Sequence, residues 1–305
     1  MPGSATLTQA ALHPHLPRGR YVPLPNGGRT FVREIDGPPG APTVVLLHGW
    51  MASGALNWFQ LFDDLASRYH VLAIDHRGHA RGMRSRRRFR LADCADDVAG
   101  MCETLGVEQV IAVGYSMGGP IAQLFWHRHR DQCSGLVLAA TAAGFVPGVR
   151  ERVMFNSAMA AAVGTTRLGQ LAAHTPLLPK RIRPILATAT GPGSLPNWAA
   201  REFRRHDWRM VFEAGHAIGT YHADWITDID VPTSVVLTTQ DTAVPPKLQT
   251  KLAQEIRGAT VFEIHDGHIA CAKPSFAHPM RAAIDDVASR INASPSAPTS
   301  GWPNL

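Results

Sequence analysis

The sequence predicts an α/β fold with a mostly parallel central sheet flanked by helices, and three observations support this prediction. After residue 42, short apolar runs typical of buried strands alternate with longer segments of helical periodicity. The chain has 305 residues, of which 45% are hydrophobic and 18% charged, so it can bury a large core. It contains no apolar run of about eighteen residues, the length that a membrane-spanning helix requires.

The predicted elements follow one another in a regular order. An opening hairpin is expected around Asn26-Gly27-Gly28, because asparagine and glycine favour tight turns between strands. The buried strands that follow are predicted at TVVLLHG, YHVLAID, VIAVGYS, CSGLVLAATAAG, SVVLTTQD and TVFEIHDG. Helices are predicted between and after them, at ALNWFQLFDDLASR, LADCADDVAGMCETLG, MGGPIAQLFWHRHRDQ, KLQTKLAQEIRG and SFAHPMRAAIDDVASRI.

One interval, residues 145–225, has helical stretches but no buried strand. We interpret it as a helical cap over the carboxyl ends of the strands, where open α/β sheets place their sites. The core then comprises residues 20–144 and 226–292, and residues 1–19 and 293–305 are expected to be mobile tails. Apolar cap residues are expected to pack between helices or line a pocket: Met154, Phe155, Met159, Leu168, Leu171, Leu177, Leu178, Ile185 and Leu186.

Much of the net charge of +6 comes from one segment, RGMRSRRRFR. We expect a solvent-exposed loop, with weak contact to an anionic lipid or substrate as the alternative. No nucleic-acid recognition motif accompanies the run, so binding to nucleic acid is not expected. The arginines concerned are Arg81, Arg84, Arg86, Arg87, Arg88 and Arg90.

Cysteine spacing and the first residues bear on the compartment. The four cysteines lack paired spacing, which favours reduced thiols over a disulfide or zinc framework. The first twenty residues lack the basic and apolar regions of a secretory signal, so a cytoplasmic location is predicted.

The stretch VIAVGYSMGGP places Ser116 between Gly114 and Gly118, after a predicted strand and before a predicted helix. In that context G-x-S-x-G forms a sharp turn that exposes a nucleophilic serine. The flanking glycines are needed because strand and helix pass too closely for side chains. Ser116 is therefore the candidate nucleophile.

A serine nucleophile needs a base and an acid to orient that base. Asp241 follows the strand SVVLTTQ, and His268 follows the strand TVFEI, so both lie at carboxyl ends of predicted strands. Asp266, two residues before His268, is an alternative acid. A metal site built from His265, Asp266, His268 and Cys271 is not expected, because a liganded His268 could not act as a base.

An oxyanion formed at Ser116 needs hydrogen-bond donors. One candidate is the backbone amide of Met117, at the start of the following helix, where the helix dipole also favours negative charge. The second candidate is the amide of Trp50, in the loop His48-Gly49-Trp50 after the strand TVVLLHG.

These motifs resemble those of the α/β-hydrolase fold superfamily, in its capped serine form. The sequence His48-Gly49-Trp50 matches the HGx oxyanion stretch of that family, and residues 75–79, DHRGH, resemble its DxRGH segment. The resemblance covers roughly residues 20 to 290. Two departures stand out: Ala80 replaces the usual glycine, and Thr238-Thr239 replace the glycine often found before the acid. We expect neither departure to touch the triad.

The resemblance implies a cofactor-free hydrolase that cleaves an ester or related acyl bond through an acyl-enzyme, and the apolar cap residues favour a hydrophobic small molecule as its substrate. Serine at position 116 disfavours the related epoxide hydrolases and haloalkane dehalogenases, which use aspartate there. The triad alone does not separate esterases from thioesterases, lactonases, carbon-carbon bond hydrolases or acyltransferases. A catalytically weak ligand-binding protein is the alternative from another class.

Overall fold

The computed structural model describes residues 16–145, 149–173 and 195–293. Its centre is an eight-stranded sheet in the order β1-β2-β4-β3-β5-β6-β7-β8, in which β1 and β2 pair antiparallel and the later strands run parallel to one another. The strands are Gly19–Pro23 (β1), Arg29–Ile35 (β2), Thr43–Leu47 (β3), His70–Asp75 (β4), Val110–Tyr115 (β5), Cys133–Ala139 (β6), Thr233–Thr238 (β7) and Thr260–Ile264 (β8).

Helices cover both faces of the sheet, which gives the three-layer arrangement predicted from the alternating pattern. Apolar side chains of α3, α4 and α8 pack on one face, and those of α1, α2 and α9 on the other. The helices are Gly54–Trp58 (α1), Phe62–Ala66 (α2), Leu91–Leu105 (α3), Gly118–Arg128 (α4), Val149–Ala173 (α5), Leu195–Phe203 (α6), Trp208–Thr220 (α7), Pro246–Glu255 (α8) and Ala277–Ala293 (α9).

The prediction of a single helix over ALNWFQLFDDLASR was wrong, because the chain forms two short helices there, α1 and α2. The Ser53 hydroxyl accepts from the Leu56 amide at 3.1 Å and caps the start of α1. Helix α1 packs against strands β2 to β4, whereas α2 packs against β4 and α9. The change of direction between them lets both halves bury their apolar side chains.

The predicted insertion lies between β6 and β7, where α5, α6 and α7 are found and α5 packs along α7. The expectation that Met154 packs in the cap was wrong, since this side chain is 64% exposed. Gly19 begins β1 and Ala293 ends α9, although both were assigned to tails. The predicted positions of Leu177, Leu178, Ile185 and Leu186, and the side chains of Leu168 and Leu171, lie outside the described residues.

No helix within the described ranges is long and apolar enough to cross a membrane.

Helix α4 crosses the carboxyl ends of β3 and β5 at very short range. Strand β3 pairs with β5 so that Leu47 lies beside Gly114. A Cβ on Gly114 would collide with the carbonyl oxygen of Gly118, and a Cβ on Gly118 would collide with that of Leu47. The crossing therefore requires glycine at both positions, as the motif predicted.

We expect Gly118→Ala to lower the free energy of unfolding by several kcal/mol or to prevent folding, because backbone atoms of β3 cannot move aside. Gly164→Ala is the matched control, since nothing lies within 4 Å of the added Cβ in helix α5. That change should stabilise the protein by about 0.5 to 1 kcal/mol. Urea unfolding measures both, and equal stability of the two variants would contradict the crossing argument.

Candidate active site

Ser116 occupies the turn between β5 and α4 in a conformation that L-amino acids rarely adopt, with φ of +52°. Such a backbone costs about 1 kcal/mol or more and persists only where its surroundings hold it. Here the Ser116 amide donates to the Ala139 carbonyl at 2.9 Å. Its carbonyl accepts from the Gly119 amide and the Thr141 hydroxyl, each at 2.9 Å. These bonds hold Ser116 at the carboxyl end of β5, in the middle of the sheet.

His268 lies in the loop after β8 and contacts this serine directly. The Ser116 hydroxyl is 2.9 Å from His268 Nε2, which accepts its hydrogen when Nδ1 carries the ring proton. The Tyr115 hydroxyl donates to the His268 carbonyl at 2.9 Å and so anchors the loop that carries this histidine. Strands β5 and β8 end at the same side of the sheet with β6 and β7 between them, so the loop after β8 reaches back to Ser116, 152 positions away in the chain.

Asp241 completes the constellation from the loop after β7. His268 Nδ1 donates to Asp241 Oδ2 at 2.7 Å, and the amides of Ala243 and Val244 donate to Oδ1 at 2.8 Å each. Burial alone would raise the pKa of this carboxyl group, but the hydrogen bonds from His268, the Val244 amide and Thr238 outweigh it and lower the pKa. The carboxylate therefore stays ionised beside the imidazole.

Two further residues hold this carboxylate, and sequence reasoning missed both. The Thr238 hydroxyl donates to Asp241 Oδ2 at 2.7 Å, so the expectation that the departure at Thr238-Thr239 leaves the triad untouched was wrong. Gln249, fully buried in α8, donates to the Thr238 hydroxyl at 2.9 Å and to the Val244 carbonyl at 2.7 Å. In the sequence, the only indication of these contacts was a threonine at a position where related proteins often have glycine.

The loop after β3 lies against the serine, as the HGx stretch predicted. A Cβ on Gly49 would lie 3.3 Å from Ser116 Cβ, and the Gly49 amide donates to Asn57 Oδ1 at 3.0 Å. The Gly49 amide is thus bound to α1, and the next amide along the chain is that of Trp50. On the other side, Met117 is fully buried and immediately precedes α4.

Four histidines cluster beneath this loop: His48, His76, His79 and His206 are all buried. The rings of His48 and His76 are 4.4 Å apart, and His79 is 5.3 Å from His48 and 5.4 Å from His206. Burial lowers the pKa of His48 to about 3 and the pKa values of His76 and His79 well below the usual value. These imidazoles are therefore neutral.

The arginine segment divides into paired and exposed members. Arg81 makes a bidentate ion pair with the buried Glu202 of α6, at 2.9 and 3.1 Å. Arg84 donates to the carbonyls of Gly82 and Ala80. The guanidinium groups of both residues therefore bond to the protein itself, although Arg84 is exposed, as are Arg86, Arg87, Arg88 and Arg90.

Asp75, in the DHRGH segment, is buried and structural. Its carboxylate accepts from the amides of Gly54 at 2.7 Å and Arg81 at 3.1 Å. Burial raises the pKa of this carboxyl group to about 6 despite these hydrogen bonds. Arg77 of the same segment pairs with Asp93 and Asp97 of α3.

The alternative acid, Asp266, and the candidate metal ligand His265 contact groups other than His268. The Asp266 carboxylate pairs with Lys273 and accepts from the Gly267 amide at 2.8 Å, whereas Asp241 faces His268. His265 contacts the Thr239 hydroxyl at 3.3 Å. Within the described ranges, no group of three or more His, Cys, Asp and Glu side chains is placed to hold a metal ion.

We expect the free energy of unfolding to fall as the pH drops from about 6.5 toward 3. Below pH 6.5 the histidines of the unfolded chain bind protons, whereas the buried histidines of the folded protein stay unprotonated. Their contribution to stability is therefore fully present above the unfolded pKa of about 6.5 and is lost as the pH falls below it. His76→Leu removes one such group of similar volume. Melting temperatures between pH 4 and pH 7 should therefore vary less steeply in the variant, and an unchanged slope would contradict the assignment.

Comparison with known proteins shows the family to which the chain belongs. Residues 42–273 match the family described as alpha/beta hydrolase fold. A poly(3-hydroxyalkanoate) depolymerase from Ectopseudomonas oleovorans is 30% identical over 265 residues, which cover 82% of this chain and 86% of that protein. An epoxide hydrolase B from Mycobacterium tuberculosis is 38% identical over 107 residues, which cover 33% of this chain and 30% of that protein.

A solved structure shows the same fold. The esterase from Exiguobacterium antarcticum superposes with a TM-score of 0.68 at 18% identity, and the match covers 90% of this chain and 100% of that chain. With a family match over most of the core and a curated relative matched over most of its length, the chain belongs to the α/β-hydrolase fold family.

Proposed function

We propose that this protein is a serine hydrolase that cleaves a carboxylic ester of a hydrophobic small molecule through an acyl-enzyme on Ser116. The observation that carries the proposal is one continuous hydrogen-bonded chain. Ser116 Oγ lies 2.9 Å from His268 Nε2, and His268 Nδ1 lies 2.7 Å from Asp241 Oδ2. These distances are those of a nucleophile, a general base and an orienting acid.

The proposed reaction has two halves. Ser116 Oγ attacks the carbonyl carbon while its proton passes to His268 Nε2, and the histidine then gives that proton to the departing alcohol oxygen. Water next attacks the acyl-enzyme, gives a proton to His268 and releases the acid, and the proton returns to Ser116 Oγ. Asp241 holds the Nδ1–H and stabilises the imidazolium in both halves.

We assign the oxyanion donors to the amides of Trp50 and Met117. Gly49 packs against Ser116 Cβ, and this contact brings the loop that carries Trp50 to the nucleophile. Met117 follows the serine at the start of α4, where the helix dipole also favours negative charge. A donor pair of this kind stabilises the charge that develops on the carbonyl oxygen.

Three observations favour an ester over the other bonds that this family hydrolyses. Position 116 is serine, so an acyl-enzyme can form, whereas the relative named epoxide hydrolase B matches over only 30% of its length. The relative matched over 86% of its length is named for a polymer whose units are joined by ester bonds. A solved structure of the same fold is an esterase.

A hydrophobic acyl group is favoured by the side chains between the Ser116 loop and the cap. The rings of Trp50 and Phe155 meet edge to face with centroids 6.4 Å apart. Met159 of α5 packs against Gly215 of α7, beside the Trp50 ring. Such apolar groups suit an alkyl chain better than a charged one.

Weak contact with an anionic substrate or lipid remains a proposal for the exposed arginines of the loop, Arg84, Arg86, Arg87, Arg88 and Arg90. Arg81 is excluded from it because its guanidinium is paired with Glu202.

The first test combines covalent labelling with kinetics. A fluorophosphonate probe should label the wild-type protein and not Ser116→Ala. Asp241→Asn should lower kcat by about 10³ to 10⁴, because the amide no longer stabilises the imidazolium or selects its tautomer.

Asp266→Asn is the matched control, since its carboxylate pairs with Lys273 and not with His268. It should retain wild-type kcat. Equal labelling of Ser116→Ala, or a folded Asp241→Asn variant with normal turnover, would contradict the assignment.

The second test is a panel of esters and thioesters of increasing acyl length. We expect medium chains to give higher kcat/KM than acetyl, and Phe155→Ala to shift the preferred length because it removes apolar surface beside Trp50. Met154→Ala, at the exposed neighbouring position, should leave the profile unchanged.

Activity confined to acetyl esters would contradict the hydrophobic acyl group. Preference for thioesters, or transfer of the acyl group to an added alcohol in dilute buffer, would replace ester hydrolysis by the corresponding alternative. A burst of one equivalent without further turnover on every substrate would indicate a ligand-binding protein.

A further inference from the structure

His206 lies in the connection between α6 and α7 and contacts two loops of the core through its two ring nitrogens. The Ala80 amide donates to Nδ1 at 2.8 Å. Nδ1 is then an acceptor, so the ring proton is on Nε2, which lies 3.1 Å from the Met51 carbonyl and donates to it. The side chain is 7% exposed, and its orientation is set by both contacts.

Met51 is part of the turn that follows the candidate oxyanion loop. Its φ is +59°, a left-handed conformation for a residue that is not glycine, so the turn needs outside support. Within the turn, the Ala52 amide donates to the Gly49 carbonyl at 3.3 Å. The preceding residue, Trp50, carries the amide that we assign to the oxyanion.

Two hydrogen bonds join Trp50 and Met51 of this turn to the cap, while the Gly49 amide is held from the core by Asn57 Oδ1. The Trp50 indole donates through Nε1 to the Val211 carbonyl of α7 at 2.8 Å. His206 donates to the Met51 carbonyl from the segment just before α7. The two bonds hold Trp50 and Met51, which are successive residues of one turn. They therefore restrict rotation of this turn about the direction of the chain.

We propose that His206 is a positioning residue that fixes the Trp50-Met51 turn and thereby aims the Trp50 amide at the oxyanion. The inference rests on the proposed function, and it makes the second oxyanion donor dependent on the cap. His206 acts through Met51 and touches no reacting atom.

The cap does not depend on His206 to stay seated. Glu202 pairs with Arg81 from one side of the connection, and the Asp207 amide donates to the Gly78 carbonyl at 2.8 Å from the other. A substitution at His206 should therefore leave α6 and α7 docked. The effect of such a change can then be read in the turn itself.

Two substitutions separate the two contacts of the ring. In His206→Gln, the side-chain nitrogen takes the place of Nε2 and can still donate to the Met51 carbonyl. In His206→Asn, the side-chain oxygen takes the place of Nδ1 and can still accept from the Ala80 amide, but the shorter side chain does not reach Met51. A role confined to the Ala80 turn would favour Asn, whereas the proposed role favours Gln.

We expect His206→Asn to lower kcat about tenfold to a hundredfold with KM nearly unchanged, because a misplaced oxyanion donor weakens binding of the transition state alone. His206→Gln should recover most of that loss. His216→Gln, at a histidine of α7 that contacts Arg88, is the control and should keep wild-type kcat. Melting temperatures report whether each variant is folded.

A double-mutant cycle gives a second measurement. Trp50→Phe removes the indole hydrogen bond to Val211 and keeps an aromatic ring. If both side chains hold one turn, the fold-loss in kcat of the double variant should be smaller than the product of the losses in Trp50→Phe and His206→Asn. Fully multiplicative losses would overturn the inference.

The inference would also be overturned if the His206→Asn variant had a kcat equal to or higher than that of His206→Gln. It would be overturned as well if the loss in kcat paralleled the fall in melting temperature in all variants. If the wild-type protein is neither labelled by the fluorophosphonate nor active on any ester, the proposed function fails and this inference fails with it. Normal wild-type activity with unaffected His206 variants contradicts the inference alone.

Discussion

The close crossing of helix α4 over β3 and β5 is the constraint on which the rest of the site depends. Two backbone segments meet where Gly114 and Gly118 carry no Cβ, and the turn between them has no room for an ordinary conformation. Ser116 therefore has a positive φ and its hydroxyl stands clear of both elements. A wider crossing would relax the turn and change the direction of that hydroxyl, so the close packing of the backbone also sets where the Ser116 side chain points.

How much of this could be predicted from sequence depends on how local each signal is. Ser116, Asp241 and His268 could be predicted as candidates because each follows an apolar strand, and parallel strands bring their carboxyl ends to one side of the sheet. Gln249 was missed because its bonds to Thr238 and Val244 arise from the packing of α8 against β7. The bond from Thr238 to Asp241 spans only three residues, but it depends on the turn that the chain makes after β7. The tie between His206 and Met51 joins positions 155 residues apart in the chain, and no periodicity reports such a pair.

The seam between core and cap has two chemical characters. Around residues 75–81 it is polar, with the Arg81–Glu202 ion pair and the bond from Asp207 to Gly78. Around Trp50 it is apolar, where Phe155 and Met159 of α5 meet α7. Directional bonds define where the α6–α7 connection sits, while α5 is held beside Trp50 by apolar contacts that carry no preferred direction.

The place of the cap in the chain has a consequence for how the protein folds. Strands β6 and β7 are neighbours in the sheet, with Leu136 beside Thr233, yet the whole cap separates them along the chain. Bringing them together requires closure of a long loop, which slows the formation of such contacts. The first six strands can assemble without that closure, so we expect the nucleophile turn to form early in biosynthesis. Asp241 and His268 follow the cap in the chain, so they can join Ser116 only once the last strands have formed.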